Sequence, residues 1–129
     1  MTAHTTRRTA ALSIALLGVA LAAAACAPSP PSNPPDITGV VTSVVAGDGR
    51  PASFQVEGAK PQPSGAAADK AMVNVPTSTQ FFGPNGTQAT LAQIGAIGPG
   101  TKVRVWFEGA IAESYPVQGS AKAVQILSP

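Results

Sequence analysis

The chain has 129 residues, enough for one small domain plus processing segments, and its formal charge of +2 comes from Arg7 and Arg8, since six cations and six acids lie beyond them. This neutral balance argues against nucleic acid as a partner, because Lys and Arg that neutralise phosphates supply most of the non-specific affinity. The sole histidine, His4, lies in a segment that we expect to be removed, and the sole cysteine is Cys26. These counts exclude Ser-His or Cys-His catalysis, a disulfide within the chain, and the usual zinc or haem ligand sets. No cofactor or metal is therefore expected.

Residues 1–25 have the three parts of a secretory signal: two arginines, sixteen uncharged residues from Ala10 to Ala25, and small residues before Cys26. Sixteen residues are short for a membrane span of about 20. The Ala23–Cys26 junction resembles a lipobox, which implies that Cys26 receives a diacylglyceryl group and begins the mature chain. Cleavage after Ala25 without lipidation and an uncleaved anchor are the alternatives. We therefore expect a lipid anchor in the cell membrane or outer membrane, facing the extracytoplasmic side.

The segment 27–35 contains five prolines in nine residues. Such a composition favours polyproline II, which rises about 3.1 Å per residue. Together with Cys26 it is predicted to be a tether that holds a domain, residues 36–129, about 25 to 30 Å from the bilayer. A disordered tail and a ligand for a proline-binding domain are alternatives.

Three strand patterns open the domain. The first is the nearly continuous β-branched run 37–46, in which Gly39 allows the strand to curl. The Gly47–Pro51 stretch is a turn, and its single Asp48 is too few acids for a calcium loop. A second strand follows at 52–58. After a long loop at 59–69, the third strand begins at 70–75 and resumes at 79–82, beyond a bend at Pro76.

A short helix is predicted next. Thr90 and Gln93 have the spacing of a capping box, and Leu91, Ile94 and Ile97 share one helical face before the Gly98–Gly100 stop. That face is expected to plug one end of a barrel. Just before the helix, Phe81 and Phe82 cannot both point inward, so one of them is expected to cap the barrel, meet a partner, or make an ordinary rim contact.

The fourth strand pattern, residues 101–108, alternates strictly. Val103, Val105 and Phe107 fall on one face and are expected to meet the core. Trp106 falls on the other face, between cations and an acid, where it could stack on a ligand. The alternative is that Trp106 packs beneath a loop or the helix.

A structured loop is predicted from Ile111 to Pro116, because Gly109 permits a bend and proline withdraws a backbone donor. The last strand pattern covers 120–127. Three strands, one short helix and two strands predict an all-β fold, a five-stranded OB-like barrel with the helix between strands 3 and 4. A small split sandwich is the alternative.

The carboxyl-terminal run resembles the end of the small bacterial YobA-like family of unknown function, whose members are secreted or lipid-anchored. The resemblance covers about Val103 to Ile126, implies an OB-like barrel, and is interrupted before that by an insertion near 60–68. The family lends no activity. The residues that carry the likeness are Trp106, Gly109, the run 112–116, Gln118, Ala121 and Lys122.

These observations predict a non-catalytic binding or interaction module. OB barrels bind through the face of strands 2 and 3 and the loops that join strands 1 to 2 and 4 to 5. Here those loops are Gly47–Pro51 and the Glu113 to Tyr115 turn, which we expect to meet at one rim and to bind an envelope protein or a small ligand. The candidate ligand-binding residues are Trp106, Glu108, Glu113, Ser114, Tyr115 and Gln118.

Other functions remain open at this point. A hydrolase could use Glu108 and Glu113 as a carboxylate pair about 5 to 10 Å apart, or Ser114 with Lys122, which would need a buried lysine. The same two acids could form a weak cation site. Single-stranded nucleic-acid binding is suggested by fold analogy alone, and the neutral balance and export oppose it.

Overall fold

The computed structural model describes residues 27–58 and 69–129. The predicted signal segment 1–25, the lipidation site Cys26 and the insertion at 60–68 lie outside the described residues. Within the described ranges, no helix is long and apolar enough to cross a membrane. The elements follow in the order β1 Ile37–Ala46, β2 Pro51–Glu57, β3 Lys70–Asn74, β4 Gln80–Phe82, α1 Leu91–Gly95, β5 Lys102–Ala112 and β6 Val117–Ser128.

The strands form a closed barrel. β1 pairs antiparallel with β2 and with β5, β2 pairs antiparallel with β3, and β5 pairs antiparallel with β6. β6 completes the circle, because its other edge runs parallel first to β3 and then to β4. β3 and β4 thus act as two halves of one strand, which is the bent third strand predicted from the sequence. The small all-β, OB-like barrel is confirmed.

The interior is filled by the inward side chains of the strands. Val103 and Val105 are fully buried and Phe107 is half-buried against them, as the alternation in that segment predicts. The buried cluster comprises Ile37, Val41, Phe54, Val56, Ala71, Val73, Phe81, Ile97, Val103, Val105, Ala121, Val124 and Ile126.

A second, smaller cluster lies outside the barrel wall. Phe82, Trp106 and Ala123 pack together there, and Trp106 is only 4% exposed. Adjacent strand residues point to opposite faces, so Phe81 enters the interior cluster while Phe82 joins this outer one. Both phenylalanines are buried.

Residues 30–36, which we call the strap, lie along this outer cluster. The Trp106 indole donates from Nε1 to the Asn33 carbonyl oxygen at 2.8 Å. Asp36 fixes the carboxyl-terminal end of the strap: its backbone N donates to the Val105 carbonyl at 2.8 Å, and its Oδ2 accepts from the Phe107 backbone N at 2.7 Å. At the amino-terminal end, Pro30 lies next to Gly86, since a methyl group added to Gly86 would be 3.7 Å from Pro30 Cδ.

The strap corrects two expectations from the sequence. A buried indole N–H needs an acceptor, and the strap carbonyl supplies it. Trp106 is therefore covered and does not offer its ring to a ligand, which agrees with the alternative that it packs beneath a loop. The second correction concerns the predicted tether: residues 30–36 pack against the barrel and do not act as a free spacer between the domain and the bilayer.

The helix prediction holds in part. The capping box is present, with the Gln93 N–H donating to Thr90 Oγ1 at 3.1 Å and the Thr90 N–H donating to Gln93 Oε1 at 2.9 Å. Ile97 is buried and Ile94 is half-buried against the core, but Leu91 is 83% exposed. A helix of five residues is too short for three positions spaced by three to share a face, so only the last two meet the barrel.

The fourth predicted strand is longer than expected. β5 continues to Ala112 instead of leaving the sheet near Ile111, and β6 already begins at Val117. Gly109 adopts φ 73° and the β5–β6 register shifts between Glu108 and Ala112, so the bend occurs inside the strand pair. The connecting loop is only residues 113–116.

Replacing Gly39 by alanine is expected to lower the free energy of unfolding by about 1 to 3 kcal/mol, as overpacking does. A Cβ at this position of β1 would collide with the Glu57 carbonyl of β2, which is backbone and cannot move aside. Urea unfolding midpoints measure the change. Gly95→Ala is the control, since its Cβ would meet nothing closer than 3.9 Å; equal losses in both variants would contradict this account of β1.

Removing residues 27–34 is expected to uncover the Trp106 ring. Because Trp106 is the sole tryptophan, its emission should shift to longer wavelength and become accessible to iodide in a chain that starts at Pro35. The chain that starts at Ala27 is the reference. Unchanged emission in the shorter chain would show that the strap does not cover this ring.

Candidate binding site

The loop between β5 and β6 is tied down at several points. Ser114 Oγ donates to the Pro116 carbonyl oxygen at 2.8 Å, and the Tyr115–Pro116 peptide bond is cis. The Tyr115 hydroxyl donates to Asp69 Oδ1 at 2.8 Å. Since Asp69 directly precedes β3, this bond holds the loop against a strand that is distant in the sequence.

Lys70 joins the tyrosine to β2. Its Nζ lies 6.0 Å from the centroid of the Tyr115 ring and 3.7 Å from Glu57 Oε1. Both charged side chains are more than a third exposed, so the ion pair itself contributes little stability. The ion pair with Glu57 instead holds the Lys70 ammonium next to the Tyr115 ring, where the two can form a cation–π contact. We call the end of the barrel formed by the end of β2, the start of β3 and residues 113–116 the tyrosine end.

The Tyr115 hydroxyl is held in its protonated form. Its hydrogen bond to Asp69 is the largest influence that raises the pKa of Tyr115 above 10.0, followed by desolvation and by the negative charges of Asp69 and Glu57. The side chain remains 63% exposed. The loop thus presents a neutral aromatic ring, with its hydroxyl already engaged, to the solvent.

The described part of the tyrosine end is negatively charged. Three carboxylates lie on it, Glu57, Asp69 and Glu113, against the Lys70 ammonium, while Glu108 lies farther along β5 with Lys122 beside it on β6. Glu108 is opposite Ser120 in the β5–β6 ladder. In the described ranges, no group of three or more His, Cys, Asp or Glu side chains could hold a metal ion.

All six predicted site residues lie on the β5–β6 hairpin. Glu113, Ser114 and Tyr115 form its loop, all exposed. Gln118, also exposed, follows on β6, where it is opposite Ala112 of β5 and Met72 of β3. Glu108 is nearer the middle of β5. Trp106, two residues before it on the same strand face, is covered by the strap.

The two predicted binding loops do not share a rim. The turn between β1 and β2 is next to the Ala46–Pro51 pair, whereas the tyrosine end is next to the Glu57–Lys70 and Ala71–Val117 pairs. The seven residues of β2 separate these points by about 20 Å. The expectation of one rim was wrong because the loops lie at opposite ends of β2 and β3.

Asp69, Lys70 and Glu57 were not singled out from the sequence. They are separated from Tyr115 by the whole middle of the chain, and only the β3–β6 pairing brings them together. No local pattern marks them as a site. The one signal in the sequence was the adjacent acid and lysine, Asp69 and Lys70, at the end of the long predicted loop.

The turn between β1 and β2 is the other place where a ligand could bind. Arg50 holds it, with Nη2 donating to the Pro76 carbonyl at 2.7 Å and Cζ 5.0 Å from the centroid of the Phe81 ring. Hollows of about 250 Å³ lie on its two sides. Both are below the range of about 300 to 1,000 Å³ typical of small-molecule sites.

These features define a small OB-like barrel with a pinned, exposed tyrosine loop at one end. Residues 77–128 match the family described as "Protein of unknown function (DUF3221)". The match covers less than half of the chain but includes β4, α1, β5, β6 and the whole loop 113–116. Neither a curated protein nor a solved structure matches the chain.

The Asp69→Asn variant is expected to lower the pKa of Tyr115, because it removes the carboxylate that accepts the phenolic proton and the charge beside it. In the native protein this bond stabilises the fold below pH 10 and is lost as the pH rises through the raised pKa. Ultraviolet titration reports it directly, since Tyr115 is the sole tyrosine. Asp48→Asn, in the turn at the other end of β2, is the matched control and should leave the titration unchanged.

Proposed function

We propose that the protein is a lipid-anchored module on the extracytoplasmic side of the cell membrane or outer membrane, which binds a protein partner through its tyrosine end. The observation that carries the proposal is Tyr115, an exposed ring fixed by Asp69 and placed against Lys70 among carboxylates. The proposal also places the chain with the YobA-like proteins, because the residues of that resemblance lie on β5, β6 and this loop.

A fixed, exposed tyrosine suits a binding surface. Tyrosine is enriched at protein interfaces and among the residues that dominate their energy. The Asp69 bond and the internal Ser114 bond already restrict the loop, so little conformational entropy remains to be lost on binding. The ring offers apolar area at the centre, and the surrounding charges form a polar rim.

The charge of this end favours a basic partner. Three carboxylates, Glu57, Asp69 and Glu113, lie at the tyrosine end, with Lys70 as the described cation there. A partner surface that carries Lys or Arg would complement them, and such rim charges chiefly increase the association rate and fall in effect as salt rises. A protein fits better than a small ligand, because the contact surface is an open loop.

The enzymatic alternatives have less support. The Ser114 hydroxyl donates its hydrogen bond within its own loop, and Lys122 is exposed, whereas a Ser-Lys pair needs a buried lysine. Glu108 and Glu113 are both exposed. Nucleic acid is disfavoured by the negative charge at the tyrosine end, which would repel phosphates.

Lipidation is tested by metabolic labelling of the full-length protein with an alkyne-tagged palmitate. The wild-type protein should incorporate the label and sediment with membranes, and Cys26→Ala should lose both properties. Ala27→Cys combined with Cys26→Ala is a control for the position of the thiol. Label on the Cys26→Ala variant, or membrane association without it, would count against a lipid anchor at this residue.

The binding surface is tested with a photo-crosslinking amino acid at Gln118, compared with one at Ser43 on β1. A protein captured only from position 118 is then purified and its affinity measured. Tyr115→Ala should weaken binding by about 30-fold, the effect of losing about 2 kcal/mol at a dominant interface residue, and added salt should slow association. Val45→Ala, an exposed site near the other end of β2, is the control; equal affinity of Tyr115→Ala and wild type would overturn the proposal.

A further inference from the structure

The strap runs from Asp36 across the outer face of the barrel toward the turn after β4. It passes over Trp106 at Asn33 and reaches the Gly83–Gly86 turn at Pro30. Only three residues lie between Cys26 and Pro30 along the chain. Fully extended, the four steps from one to the other span at most about 14 Å. A lipid on Cys26 would therefore keep this turn close to the headgroups.

The surface around that turn has a composition suited to a membrane. Gln125 Nε2 donates to the Gly83 carbonyl at 3.2 Å, and Arg104 Nη1 donates to Gln125 Oε1 at 3.3 Å. Arg104 is thus next to the turn, and Lys102, two residues earlier on β5, is exposed on the same strand face. No acidic residue occurs between positions 70 and 107, and Asp48, in the β1–β2 turn that borders α1, is accompanied there by Arg50.

An exposed apolar side chain completes this surface. The Gln93 side chain lies against Gly83, with 3.4 Å between its Nε2 and the position that a Cβ would take. Gln93 belongs to α1, which opens with Leu91, the most exposed large apolar side chain among the described residues. Two cations, a leucine and a proline-containing turn therefore occupy one end of the barrel, which we call the strap end.

We propose that the strap fixes the orientation of the barrel on the bilayer, with the strap end on anionic lipid headgroups and the tyrosine end directed away from the membrane. Lys102 is opposite Ser128 at the end of β6, whereas the tyrosine end is at the start of β6. Basic residues near a membrane are drawn to anionic headgroups, and an apolar side chain among them can enter the interface. This inference depends on one part of the proposed function, the lipid on Cys26, and does not depend on a protein partner at the tyrosine end.

Hydrogen exchange with mass spectrometry tests this orientation. The chain from Cys26 to Pro129 is coupled through its one thiol to a maleimide-headgroup lipid in vesicles of phosphatidylcholine and phosphatidylglycerol. Coupling should slow amide exchange in residues 83–94 and leave residues 112–118 unchanged. Because the linkage is chemical, the result does not depend on whether cells lipidate Cys26, which the palmitate label decides separately.

Charge variants distinguish orientation from crowding by the vesicle. Lys102→Gln with Arg104→Gln should lose the protection of residues 83–94, whereas the matched pair Lys70→Gln with Lys122→Gln should keep it. Leu91→Gln, at an exposed position that does not threaten folding, should also reduce it. A flexible Gly-Ser insertion between Ala27 and Pro28 lengthens the connection between the lipid and the strap, and it should also weaken the protection of residues 83–94.

Four results would overturn the orientation. Protection at residues 112–118 would place the tyrosine end on the membrane. Equal protection of both ends, or an equal effect of the two double variants, would leave no preferred face. Exchange unchanged throughout would mean that the barrel stands clear of the bilayer.

Discussion

The pairing of β6 along both of its edges is the constraint on which the rest of the barrel depends. β5 covers one edge, and β3 followed by β4 covers the other. Closure leaves no open sheet edge in this circle and encloses the apolar side chains. It also forces close approaches that only glycine allows: a Cβ at Gly119 would lie 2.7 Å from Cδ1 of Phe107.

The same closure creates the candidate site. β6 begins alongside the start of β3, so the loop before it arrives next to the residue that precedes β3. Tyr115 and Asp69, which are 46 positions apart, meet for this reason. The end of β2 and the start of β3 are also paired here, through Glu57 and Lys70.

The molecule has two buried apolar clusters, one inside the barrel and one outside its wall, and two chemically different ends. The interior cluster stabilises the barrel, and the outer cluster of Phe82, Trp106 and Ala123 stabilises the strap. One end carries Lys102, Arg104 and Leu91, and the other carries Tyr115 among carboxylates. In the functions proposed above, one end faces lipid and the other faces a partner, and the strap makes the two roles compatible in a domain this small. The family match of unknown function includes the tyrosine loop and both strands that support it.

The sequence alone determined the features that arise from neighbouring residues. Alternation placed Val103 and Val105 inward, the Thr90 and Gln93 spacing predicted the helix cap, and the order of the elements predicted the barrel, because these signals act within a few residues. Only the tertiary structure decided that the strap covers Trp106, that Leu91 stays exposed, that the loops at Gly47 and Tyr115 lie at opposite ends of β2, and that Asp69 is the partner of Tyr115. Those outcomes depend on strand register and on packing between distant segments, which no local pattern encodes.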